Sequence, residues 1–286
     1  MLVQLIVSGL LLGCIYSLIS MGLSLIWGVM GIVNFAHGAF VMLAMYIAYF
    51  ANLLLGLDPL LATPGVAVAM FFVGLLVYYL IIRQVVDGPY VSRLLVTFGL
   101  SFFMIYMAQF LWSPDYRAIQ KTIVSGTLNM SGIHIEIAKL ASSVGSIIVA
   151  ILVYWFIRRT RTGQAIQAIS TDRMGAALMG IHLQRISAVS FGLGLACAGA
   201  AGSLLATFYY IFPDVASLFG LIALVAVALG GFGSVEGAFV GAIILGLVET
   251  VGGFYVGPSW KYGLMFVLYL IIVTVRPQGL LGRGKV

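Results

Sequence analysis

The sequence predicts an all-α polytopic membrane protein, a bundle of about 8–9 transmembrane helices forming a single domain over residues 1–286. Three observations carry this reading. Of the 286 residues, 63% are hydrophobic and only 8% are charged, against about a quarter charged in a soluble domain. With a mean hydropathy of +1.18, the chain has too few polar side chains to wet the surface of a globule. The apolar residues come in blocks of roughly 20, the length a helix needs to cross a bilayer, rather than in the alternating segments of about 10 that build membrane barrels. Soluble enzymes, nucleic-acid binders and secreted disulfide scaffolds are thereby excluded. The net charge of +6 is read as topology rather than as a nucleic-acid footprint.

Breaks in hydropathy and runs of Gly, Pro or charge give nine candidate spans: 3–27, 38–56, 63–84, 91–112, 140–157, 186–211, 217–231, 237–256 and 261–276. Leu11-Leu12-Gly13-Cys14 looks like a lipoprotein cleavage site, but no Lys or Arg precedes it and the apolar stretch runs on to Trp27. It therefore reads as a mature first helix. Cys14 and Cys197 lie inside apolar runs and read as packing residues rather than a disulfide pair or metal ligands. The segment 217–231 is short for a crossing, and re-entry is its alternative. The small-residue run Gly192, Gly194, Ala196 and Ala198 to Ser203 suits close approach of neighbouring helices.

In the nine-span scheme Arg83, Arg93, Arg158, Arg159, Arg161, Arg173, Arg185, Arg276, Arg283 and Lys285 share one face. Arg117, Lys121, Lys139 and Lys261 fall on the other. Ten against four places the first face, and the C-terminus with it, in the cytoplasm, and leaves the N-terminus outside. The long outer connection, Ser113 to Lys139, mixes charges with turn residues and reads as a cap on the bundle.

The long inner connection, about 158–185, is more informative. Its core, Thr162 to Gly180, is rich in helix formers and flanked by glycines, which predicts a helix at the cytoplasmic surface. A helix resting in lipid headgroups needs a bulky apolar face. This one offers mostly Ala and Gly with a few Ile and Met, which suits a protein groove better. The chain has no phosphate-cradling loop ending in Gly-Lys-Ser/Thr, since Gly284-Lys285 is followed by Val286. If ATP drives its work, a separate subunit must push from the cytoplasm, and the inner loop is the handle.

The run Gly22-Leu23-Ser24-Leu25-Ile26-Trp27-Gly28-Val29-Met30-Gly31-Ile32-Val33-Asn34-Phe35-Ala36-His37-Gly38 resembles the N-terminal signature of the branched-chain amino acid ABC transporter permeases of the LivH type. Three further stretches match that family in the same order: Arg161-Thr162-Gly163 through Gly180-Ile181, Leu229-Gly230-Gly231-Phe232-Gly233-Ser234-Val235-Glu236-Gly237-Ala238, and Arg276-Pro277-Gln278-Gly279-Leu280-Leu281-Gly282. Glu236 departs from the family, whose members commonly carry Pro there. The resemblance implies an inner-membrane importer without a cofactor of its own. In it this permease pairs with a second, related permease, two cytoplasmic ATPase subunits and an external solute-binding protein. It also implies that the inner loop is a coupling helix seated in an ATPase groove, with Arg161, Gly163, Ala165, Asp172, Arg173, Ala176 and Gly180 as its coupling residues, and that the fold is built from inverted halves.

Polar residues at membrane depth are costly and mark candidate pathways. Glu249 is the acidic residue well inside a predicted span, able to face a solute ammonium, bind a proton or bond a neighbouring helix. Asn34, His37 and Gly38 sit in a Gly-rich break where unwound backbone can line a path. Ser234 lies in the second Gly-rich break, and Gly38-Ala39-Phe40-Val41 is echoed by Gly237-Ala238-Phe239-Val240. Three function classes follow: a subunit of an ATP-driven importer for branched-chain or other hydrophobic amino acids, or for a related amide or urea; a self-sufficient ion-coupled transporter using Glu249; and an intramembrane hydrolase built from Ser234, His37 and an acidic partner. The third is weakest, because Gly233-Ser234 lacks a nucleophile-elbow pattern.

Overall fold

The computed structural model describes residues 2–120, 122–124, 126–130, 133–257, 260–276 and 278–281. Lys121, Pro277, Gly282, Arg283, Lys285 and the side chain of Lys261 lie outside what is described. Seven helices are long and apolar enough to cross a membrane: α1 (Leu2–Met30), α2 (His37–Leu55), α3 (Pro59–Val85), α4 (Tyr90–Trp112), α5 (Ile137–Arg159), and, after two short surface helices α6 (Arg161–Thr171) and α7 (Arg173–Leu178), α8 (Leu183–Leu205) and α10 (Val235–Val256). Two shorter apolar helices, α9 (Val215–Gly230) and α11 (Lys261–Val275), complete the nine apolar segments among the described residues. The chain is thus an all-α polytopic membrane protein.

Local chemistry sets the boundaries. Asp58 accepts from the Leu60 main-chain N–H at 2.9 Å and Pro59 opens α3, while Gly56 closes α2 in the left-handed conformation at φ 67°. The inner segment differs from the single helix expected over 162–180. Thr160 caps α6 at Gly163, but Asp172 leaves the helix with φ −147° and its carboxylate caps α7 at Met174 instead. A carboxylate that can bond the following turn competes with helix continuation, which breaks the segment in two.

Contacts between helix ends define two poles. At the basic pole, Arg158 pairs with Glu236 and Arg173 with Asp87, each at 2.8 Å. Also there, Leu280 and Leu281 donate main-chain bonds to Leu229 and Gly230 at the end of α9. At the far pole, Gln109 meets Asp214, Ser142 bonds the Leu204 carbonyl, and a two-stranded hairpin, β1 (Thr127–Met130) with antiparallel β2 (Ile133–Glu136), lies over the bundle. The outer connection is stitched down by a main-chain bridge between Arg117 and Ile211 and by the Ile123 N–H donating to Asp58 Oδ2 at 2.6 Å.

The core is formed by α1, α2, α8 and α9. Chain direction in α8–α9–α10 is the reverse of that in α1–α2–α3. The first helix of each set traverses the bundle, the second starts within it, and the third recrosses. Gly22 of α1 and Gly194 of α8 meet where the two sets cross, and Gly38 at the start of α2 meets Gly220 of α9. This inverted pairing differs from the sequence echo. Gly38 lies at mid-height, whereas Gly237 packs on the Gly230 main chain at the basic pole. The repeated tetrapeptide therefore marks two close helix approaches at different depths, not two equivalent positions.

Candidate functional site

The chain leaves α1 at Met30, at the basic pole, and residues 31–36 climb back into the bundle without forming helix. Gly31 makes the turn at φ 62°. The climb is anchored by Thr97 Oγ1, which donates to the Val33 carbonyl at 3.2 Å, and ends where the His37 ring Nε2 bonds the Ile19 carbonyl at 3.0 Å. Ile19 stands about 16 Å up α1 from Met30, at 1.5 Å per residue. Asn34 shapes the start of α2: its side-chain oxygen accepts from the Ala36 N–H at 3.2 Å and its carbonyl from the His37 N–H at 3.1 Å. Both side chains are buried, and Asn34 Nδ2 and His37 Nδ1 have no hydrogen-bond partner among the described residues. Gly38 is a packing residue, since a Cβ there would strike the Ala216 carbonyl oxygen.

The five candidate path residues do not converge on one cavity. A cavity of about 930 Å³ opens at the basic pole between the end of α1, the end of α5, α6 and the turn after α9, and of the five it takes in only Ser234. Ser234 caps α10 by accepting from the Gly237 N–H at 3.0 Å. Trp27 and Phe232, whose rings stand 4.5 Å apart, form part of the same wall. His37 is a different matter, well up the bundle beside Ile19, and the structure gives the Ser234 and His37 hydrolase reading no geometry.

Glu249 sits in a π-helical stretch of α10, Val248–Gly252, and is buried. Its Oε2 accepts from the Tyr16 hydroxyl of α1 at 2.8 Å. Such stretches insert one residue into the helical ladder and often mark functional positions. Tyr16 is the partner that sequence reading missed. The available signal was a phenol within the strongly apolar first helix, beside Ser17 and Ser20.

The seven inner-loop residues form one surface unit. Gly163 is obligatory for packing, because a Cβ would overlap the main-chain oxygens of Phe156 and Ile157. Ile166 and Ile169 turn inward with it, and Ala176 is buried beneath α7. Ala165 is half-buried, and Arg161, Asp172 and Gly180 are exposed, Gly180 at φ 82°. Arg173 is tethered to Asp87 in the α3–α4 connection. The outward face carries Met174, Leu178 and Met179, which are 73%, 82% and 84% exposed. A face this apolar at a helix end is built to be covered. No group of three or more His, Cys, Asp or Glu side chains among the described residues is placed to hold a metal ion.

Fold and site together define a polytopic membrane protein with a capped surface-helix unit at its basic pole. The model of the family described as branched-chain amino acid transport system, permease component, matches residues 5–275, and the chain belongs to that family. It is 32% identical to the high-affinity branched-chain amino acid transport system permease protein BraD of Pseudomonas aeruginosa, over 99% of this chain and 96% of that one. It is 31% identical to the corresponding LivH of Salmonella typhimurium over 98% and 95%, and 26% identical to a probable LivH of Methanocaldococcus jannaschii over 93% and 88%. No solved structure matches it.

Proposed function

We propose that the protein is the membrane-spanning subunit of an ATP-driven ABC importer that carries branched-chain and other hydrophobic amino acids across a bacterial inner membrane. The observation that carries this reading is the family match over nearly the whole chain, with relatives named for high-affinity branched-chain amino acid transport. The basic pole is cytoplasmic in this reading, which the excess of Arg there supports. The C-terminus is then inside and the N-terminus outside. ATP is split by two partner subunits, since the sequence holds no nucleotide loop of the Gly-Lys-Ser/Thr kind.

The α6–α7 unit is the coupling element. The apolar face of Met174, Leu178 and Met179 enters a groove of the ATPase, and Gly163 and Ala176 seat the unit on the bundle. Arg173 at the start of α7 pairs with Asp87 in the α3–α4 connection, and Arg158, at the end of α5 just before the unit, pairs with Glu236 of α10, so a push on α7 passes to the α3–α4 connection directly and to α10 through α5. A second, related permease completes the membrane pair, and an external solute-binding protein docks at the far pole.

The test is purification in mild detergent followed by reconstitution. Co-elution of a permease, an ATPase and a binding protein, together with ATP-dependent uptake of leucine, is the expected result. A chain that elutes alone and takes up solute in response to an ion gradient without ATP would replace this reading with the secondary-transporter one.

A further inference from the structure

Residues 31–36 are non-helical chain at membrane depth, tied to α4 by the Thr97 bond to the Val33 carbonyl. Irregular backbone at that depth is tolerated only against protein or water, never against hydrocarbon. Yet this stretch reaches the flank of the bundle. Phe35 is 37% exposed, and its ring stands edge-on to Phe98 at 5.8 Å, which in turn meets Phe102 at 4.7 Å. Phe98 and Phe102 are themselves 49% and 43% exposed. The main chain of Val33, Asn34 and Ala36 is buried behind the Phe35 ring, and an aromatic strip runs along the flank outside it.

The same stretch is short of hydrogen-bond acceptors. Among the described residues the main-chain N–H groups of Ile32, Val33, Asn34 and Phe35 make no hydrogen bond. Asn34, only 2% exposed, holds its Oδ1 on the Ala36 N–H at the start of α2, which leaves Nδ2 as a buried donor without a partner at the same helix terminus. Buried donors of this kind normally find an acceptor. A helix N-terminus adds partial positive charge. Donors, dipole and an adjacent aromatic strip are together what an amino acid needs: an anion site for its α-carboxylate and an apolar wall for its side chain.

We propose that the 32–35 stretch and the Asn34 amide bind the α-carboxylate of a transported amino acid, and that Phe35, Phe98 and Phe102 select its apolar side chain. This deepens the permease reading and rests on it. Phe35 is the exposed member of the stretch, so its displacement admits the substrate.

The experiment uses the assembled transporter in membrane vesicles, with Cys14 and Cys197 replaced by Ala. The Phe35→Cys variant should react with a charged, water-soluble thiol reagent at least about tenfold faster than Leu152→Cys on the outer flank of α5, and L-leucine should slow the reaction. Equal rates, or no effect of leucine, overturn the proposal. Two uptake measurements test the two halves of the site. Phe98→Ala should lower the leucine-to-alanine uptake ratio by roughly tenfold, the scale set by a lost apolar contact. Asn34→Asp keeps the acceptor used by Ala36 and removes the free donor, and should lower leucine uptake by about tenfold or more through repulsion of the carboxylate. If the parent complex takes up leucine and both variants match it in ratio and rate, this inference fails while the permease reading stands. A parent complex that takes up no leucine removes the permease reading itself.

Discussion

Gly22 of α1 and Gly194 of α8 are each other's closest obstacle: a Cβ on Gly22 would lie 2.5 Å from the Gly194 carbonyl oxygen, and one on Gly194 would lie 2.6 Å from that of Gly22. The reciprocity places a local pseudo-twofold axis between the two helices, and backbone stands on both sides, so neither residue can yield by turning a rotamer. Gly22→Ala and Gly194→Ala should each destabilise the assembled protein by about 1–3 kcal/mol, the cost of overpacking a tight core. Gly65→Ala and Gly99→Ala, where a Cβ meets nothing within 4 Å, serve as neutral controls. Thermal midpoints of the four purified variants decide the matter, and a Gly22→Ala midpoint equal to the controls would remove the argument.

Legibility of the sequence followed the range of the interactions involved. Seven of the nine apolar blocks need only their length to be seen. The other two are short: 217–231 reads as short in the sequence, and α9 covers Val215–Gly230 and starts within the bundle, whereas 261–276 reads as an ordinary crossing and α11 covers only Lys261–Val275. The break at Asn34 and His37 was visible from its glycines, yet its climb to Ile19 was not, because it depends on the Thr97 and Ile19 partners 64 and 18 residues away. Asp87 was equally hidden as the mate of Arg173, although it is an acidic residue standing between Arg83 and Arg93. The glycine echo at 38 and 237 misled in register, because close helix packing demands Gly wherever it occurs.

Sidedness has a direct chemical test. In a background lacking Cys14 and Cys197, cysteine at Tyr116, exposed at the far pole, should react with an impermeant thiol reagent in intact cells. Cysteine at Ser170, which lines the basic-pole cavity, should react only after permeabilisation. The opposite pattern would invert the membrane orientation.

The surface helices separate docking from folding. Met174→Ser with Leu178→Ser removes apolar area from the outward face and should abolish co-purification of an ATPase while leaving the permease folded. Ala176→Trp, by contrast, enlarges a buried residue and should reduce the yield of folded permease. Arg173→Glu sets two negative charges together and should lower ATP-driven uptake. Asp87→Lys in the same chain should restore part of it by reversing the pair. Stability should move by no more than about 1 kcal/mol, since the pair is largely solvent-exposed. Uptake lost in the single variant and equally lost in the double variant would show that Arg173 acts through something other than Asp87.

The bond from Tyr16 to Glu249 ties α1 to the π-helical stretch of α10, with both residues buried. Glu249→Gln retains an oxygen that can accept from the phenol, so the complex should assemble at close to its normal yield. Glu249→Leu leaves the Tyr16 hydroxyl buried without that acceptor and should destabilise by about 1–3 kcal/mol. Tyr16→Phe removes the donor instead, and a carboxylate loses one of its hydrogen bonds in an apolar setting. Combining Tyr16→Phe with Glu249→Leu removes both polar partners at once, so the double variant should be more stable than the sum of the two single effects predicts. Assembled yield and thermal midpoint across the four proteins measure that coupling. Strict additivity would mean that the Tyr16 bond does not carry Glu249's contribution to assembly. Uptake by the Gln variant then asks about the charge: full uptake removes Glu249 from the transport path, whereas loss of uptake in a fully assembled complex assigns its negative charge to transport.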